Sequence, residues 1–125
     1  MKIRQKALLG ALVLSGPLAH AQLIEVQWGT DGRFERQVQI RPGKFVEVCD
    51  KLRPGSKVWW KFNGSAPTDF NVHYHEGKDV RFSAKEDGTS ASQGTLDVAV
   101  EQDYCWMWKN KGTDTVLLDL GLRKQ

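Results

Sequence analysis

The chain lacks the features by which most enzyme classes show themselves in sequence. There is no Gly-x-Ser-x-Gly elbow, no Cys-His-Asp order and no glycine-rich phosphate loop, so the common hydrolytic and nucleotide-dependent chemistries have no carrier. Acidic side chains such as Asp69, Glu76 and Asp79 fall at ordinary surface positions of the pattern. Long amphipathic helices are missing as well, because no stretch repeats apolar residues at helical spacing. Cysteine is scarce, with two residues and no Cys-x-x-Cys, which removes the usual dithiol and thiolate-metal motifs. These absences predict a binding module, not an enzyme.

What is present begins with an export signal. Met1 to Lys6 is basic, Ala7 to Leu18 is an apolar run of about a dozen residues, and Ala19-His20-Ala21 offers small residues at −3 and −1. Residues 1–21 therefore read as a cleaved signal peptide and 22–125 as one mature domain, periplasmic or secreted. The run is too short to span a bilayer, and no second one follows. With no lipobox cysteine, simple lipoprotein anchoring is excluded. Loss of Lys2, Arg4 and Lys6 leaves the mature chain with as many Lys and Arg as its 15 Asp and Glu. No stretch of it interleaves clustered cations with aromatics, so nucleic acid and anionic membrane are disfavoured as partners. In an oxidising compartment Cys49 and Cys105 are expected to pair; closing that loop stabilises by about 4 kcal/mol on the chain-entropy model.

The mature chain alternates apolar and polar residues in short runs broken by Gly, Pro, Asn and Asp, an all-β signature. Strands are predicted over Leu23–Trp28, Phe34–Ile40, Phe45–Cys49, Lys57–Phe62, Asp69–His75, Val80–Phe82, Thr95–Val100, Tyr104–Asn110 and Val116–Leu122. Pro42-Gly43 and Pro54-Gly55 suit type II turns, Asn63 to Pro67 reads as a loop, and Glu86 to Gly94 as a mobile one. Eight or nine short strands predict a two-sheet antiparallel β-sandwich carrying one disulfide. The richest stretch is Tyr104-Cys105-Trp106-Met107-Trp108-Lys109-Asn110. Period 2 puts Tyr104, Trp106 and Trp108 on one side, as a core face, and Cys105, Met107 and Lys109 on the other. A soft-metal site at Met107 competes with that core reading; one methionine beside an oxidised cysteine leaves it short of ligands. The order Cys49…Trp60…Cys105 is similar to that of an immunoglobulin domain, but Asp103 stands where the tyrosine corner needs Tyr.

Val58-Trp59-Trp60-Lys61-Phe62, Asp69-Phe70-Asn71-Val72-His73 and the Tyr104–Asn110 stretch before Val116-Leu117-Leu118 resemble the GOLD (Golgi-dynamics) domain family. The resemblance spans Lys57 to Leu120. It implies a GOLD-like β-sandwich over 22–125 that associates with protein or lipid and catalyses nothing. No coiled coil or membrane helix follows, so it implies the fold and not the cargo-receptor role of p24-type members.

Two candidate sites emerge. His73 and His75, two residues apart on one strand, project from the same face about 6.6 Å apart. With Glu76 they form a candidate metal set for copper or zinc, Asp69 and Asn71 standing near enough to complete the shell; the competing reading is a solvated polar face. The pair is similar to the His-x-His of cupins, without the acidic residue or second His motif that cupins carry. The other site is a binding surface of Trp59, Lys61 and Asn71 for an envelope protein or small ligand. An exported non-enzymatic binding module is thus the leading expectation, and a periplasmic copper-type metal-binding protein the alternative.

Overall fold

The computed structural model describes residues 21–125; the expected signal peptide, apart from its last residue, lies outside that range. The chain is all-β, with seven strands: β1 Ala21–Glu25, β2 Arg33–Ile40, β3 Phe45–Leu52, β4 Lys57–Glu76, β5 Asp79–Asp97, β6 Gln102–Lys109 and β7 Val116–Lys124. Both Pro-Gly turns form as expected. Lys44 N–H donates to Arg41 O and Ser56 N–H to Arg53 O, with Gly43 at φ 78° and Gly55 at φ 88°, a left-handed conformation that favours glycine.

The strand count is lower than expected because two predicted loops are strand. β4 runs 20 residues through Asn63–Pro67, and β5 runs 19 residues through Glu86–Gly94. They form one long hairpin whose register shifts between Asn63 and Thr68, between Thr68 and Phe70, and between Val72 and His73. Bulges of this kind bend a strand without ending it, and Gly64 and Pro67 sit at the bend, where an unpaired residue is tolerated. The loop-like composition therefore marks a corner.

That corner replaces the expected pair of separate sheets by one curled sheet, a half-barrel. Along a single edge of β4, Val58–Gly64 pairs with β7 and Asp69–His73 pairs with β6. One half-sheet thus contains β1, β3, β6, the second half of β4 and the first half of β5. The other contains β2, β7 and the remaining halves of β4 and β5. The sheet is not wholly antiparallel either, since β1 pairs with β3 in parallel. Gln22 Nε2–H donates to Gln39 O across the gap between the outermost strands β1 and β2.

The core lies inside the curl. Val46, Val48, Phe70, Val72, Tyr104, Trp106 and Trp108 from the first half meet Phe34, Ile40, Val58, Trp60, Phe62, Leu118 and Leu120 from the second, all buried. The Trp-rich strand therefore turns its rings inward, as its alternation predicts. Phe70 is the meeting point, with ring centroids 4.8 Å from Trp60, 4.6 Å from Phe62 and 5.3 Å from Trp108. The Trp60 ring packs against Gly94, where a Cβ would stand 2.5 Å from its Cζ2. The indole N–H groups of Trp106 and Trp108 are buried without an acceptor among the described residues, so these side chains stabilise through buried area and ring contacts and not through hydrogen bonds.

Asn110, fully buried, ties down one end of the curl. Its Nδ2 donates to Ile40 O and Asp114 O, and its Oδ1 accepts from Gly112 N–H. Its backbone exchanges hydrogen bonds with Gly43 and Lys44. Asn110→Ala removes the partner of one buried and two part-buried backbone groups and is expected to lower stability by about 2 kcal/mol in urea unfolding. Asn110→Asp cannot donate to either carbonyl and should fall nearly as far; a loss below about 1 kcal/mol in both contradicts this role.

Candidate functional site

The outer face of the first half-sheet carries most of the predicted site. Cross-strand register sets Leu23, Glu47, Met107, Asn71 and Lys85 in one row, and Cys49, Cys105, His73 and Phe82 in the next. Residues directly opposite share a face, and the inward residues of β3 and β6 are core, so both rows face outward. The Cys49–Cys105 disulfide forms as expected. It joins directly paired positions of β3 and β6 within one half-sheet, unlike the inter-sheet bridge of an immunoglobulin domain.

His73 is buried, at 5% exposure, although it belongs to this outer face. Its Nδ1 lies 2.7 Å from Asn71 Oδ1 and its Nε2 lies 3.3 Å from Glu47 Oε1. The ring stands edge-on to His75 at 5.2 Å and tilted to Phe82 at 6.2 Å. The structure therefore brings His73 and His75 together, as their spacing requires. It does not bring Glu76, whose Oε1 accepts from Arg81 Nε–H at 3.1 Å. Among the described residues, one group places three His, Cys, Asp or Glu ligand atoms within 4.8 Å: Glu47, His73 and Cys105. The Cys105 sulfur is spent in the disulfide, which leaves Glu47 and His73 as the adjacent donors. Glu47 was missed from sequence because only cross-strand register places it at His73.

Apolar exposure concentrates on the same face. Of the five exposed large hydrophobic side chains among the described residues, Leu23 at 70%, Phe82 at 50% and Val80 at 42% lie on it. The half-buried Met107 sits between them, and Glu47, His75 and Lys85 supply polar surroundings. Asp69 fixes the edge of this face. Its Oδ2 accepts from Lys111 Nζ at 2.8 Å and its Oδ1 from Gly88 N–H at 2.9 Å. The Lys111 hydrogen bond and charge, with help from Gly88, hold the Asp69 carboxyl below its ordinary value of 3.8 against the opposing effect of burial. A depressed folded value contributes stability that is complete above the unfolded value and is lost as pH falls through the folded one. Asp69→Asn should therefore flatten the loss of stability below about pH 4; an unchanged acid limb contradicts the assignment.

The expected surface of Trp59, Lys61 and Asn71 is divided by the fold. Asn71 hydrogen-bonds to His73 on the first half-sheet. Trp59 and Lys61 lie on the outer face of the second, where Trp59 is paired with Arg123. The Arg123 guanidinium carbon is 4.8 Å and Lys61 Nζ 5.6 Å from the centre of the Trp59 ring. Arg123 had no signal in sequence, since it follows the last predicted strand.

No family model matches the sequence, and no curated protein matches it either. Solved structures define the class of fold instead. PliG from Aeromonas hydrophila, a periplasmic lysozyme inhibitor of g-type lysozyme, is similar with a TM-score of 0.64 and 17% identity, over 84% of this chain and 97% of that one. PliG from Salmonella Typhimurium gives 0.55 at 13% identity over 83% and 99%. A mutant of the Escherichia coli inhibitor gives 0.56 at 12% over 86% and 100%. The chain has the fold of these inhibitors. The GOLD resemblance rests on its sequence motifs.

Proposed function

We propose that this chain is an exported, non-enzymatic protein-binding module that docks through the outer face of its first half-sheet. Its place of action is the periplasm or the exterior of the cell. The observation that carries the reading is that Leu23, Met107, Val80 and Phe82 all emerge on one rigid face, interspersed with Glu47, Asn71 and Lys85. Apolar side chains exposed together with polar ones on one face mark association surfaces. The disulfide and the Glu47–His73–Asn71 contacts hold that face in one arrangement, which lowers the entropy cost of binding.

The fold likeness supplies the partner to test, a g-type lysozyme, because the three similar proteins are inhibitors of that enzyme. Support for export comes from the leader, the disulfide and the periplasmic setting of those proteins. The test is the rate at which a g-type lysozyme clears a peptidoglycan suspension. An equimolar amount of the mature chain is expected to slow clearance at least tenfold, and the pair Leu23→Asp and Phe82→Arg to restore most of the rate. Clearance unaffected by a tenfold excess of folded protein rules out this partner.

A further inference from the structure

A trough lies on the outer face of the second half-sheet, away from the docking face. Gly121, in the middle of β7, has no side chain between Glu35 of β2 and Lys61 of β4, its neighbours across the sheet. The gap is the floor of the trough, about 540 Å³ in volume. A Cβ at Gly121 would meet Lys61 and Glu35 carbons at 3.8–3.9 Å, ordinary van der Waals contact, so a larger side chain such as valine would stand up into the floor of the trough. Asn63 and the hydrogen-bonded pair Gln37–Asp119 form the row on one side. Trp59 and Arg123 form the row on the other.

Two properties decide what such a trough holds. Lys61 and Arg123 both converge on the Trp59 ring, and neither forms an ion pair with a carboxylate among the described residues. An anion is therefore matched at this end. Glu35 and Asp119 stand at the trough itself, so an anion lying along it must offer donors to these carboxylates as well as charge to the cations, which glutamate side chains do not. A sugar acid does, because its hydroxyls donate to carboxylates and accept from amides and cations alike. The half-buried indole beside them offers an apolar edge and an N–H with no acceptor among the described residues. The trough is open to solvent and flanked by rows of mostly polar side chains, a shape for a chain of rings and not for a single deeply buried group.

We infer that this trough binds an acidic saccharide, a sugar chain carrying carboxylates. The carboxylate meets Lys61 and Arg123, the rings lie over Gly121 against Trp59, and the hydroxyls bond to Glu35, Asn63 and Asp119.

The test is titration of the ¹⁵N-labelled exported protein with tetragalacturonate, read at the Trp59 indole resonance. Chitotetraose serves as the neutral sugar and tetraglutamate as the carboxylate without a sugar. Tetragalacturonate is expected to shift the Trp59 indole signal at least tenfold more tightly than either control. Arg123→Gln, Lys61→Gln and Gly121→Val, each checked for an unchanged thermal midpoint, are each expected to weaken it at least tenfold. A Trp59 signal that does not move with tetragalacturonate overturns the inference. So does equal binding of tetraglutamate or chitotetraose, or full affinity in all three folded variants. Inhibition of lysozyme clearance by Gly121→Val is expected to match that by the parent protein, so failure of either surface is read separately.

Discussion

Phe70→Ala is expected to cost about 4 kcal/mol in urea unfolding, as large aromatic truncations in a closed core do. Phe70 is fully buried and touches rings from both halves of the curl, Trp60 and Phe62 on one side and Trp108 on the other. Its loss opens a cavity where the half-sheets meet, and the pairing of β4 with both β6 and β7 on one edge limits how far they can close over it. Phe70→Leu keeps most of the volume and should cost about half as much. If Phe70→Ala costs less than about 1.5 kcal/mol, the two halves are not held together at this point.

Replacing Cys49 and Cys105 together by serine is expected to cost about 4 kcal/mol, and reduction of the unaltered protein about the same. The separation of 56 residues sets that figure through the entropy of closing a loop in the unfolded chain. Both residues are half-buried on an outer face, so the substitutions leave the core intact and isolate the effect of the crosslink. Strands β3 and β6 should remain paired, because Val46, Val48, Trp106 and Trp108 bury their inner faces regardless. A serine variant that matches the oxidised protein in stability within about 1 kcal/mol would show the crosslink to be dispensable.

Alternation alone made much of this legible. Tyr104, Trp106 and Trp108 point inward and Cys105 and Met107 outward because period 2 leaves no other arrangement. The Cys49–Cys105 bond followed from export and from the presence of two cysteines. Tertiary pairing was not legible. Nothing local to Asn63–Pro67 distinguishes a loop from a bulged corner inside a strand, since Gly and Pro serve both. Register, a non-local property, placed Glu47 against His73 and Arg123 against Trp59. It also separated Asn71 from Trp59, because the bend in β4 lies between them. Glu76 left the histidines for Arg81, a partner supplied by the turn that follows it.

The docking face itself can be located in one experiment: backbone amide shifts of the ¹⁵N-labelled mature chain on addition of unlabelled g-type lysozyme. Shifts are expected along the outward residues of β1, β3 and β6 and the first half of β5, with Leu23, Met107 and Phe82 among the largest. Trp59, Gly121 and Arg123 are expected to stay unmoved. Shifts centred on those three residues instead, or none at stoichiometric lysozyme, would contradict the assignment of this face as the site of protein recognition.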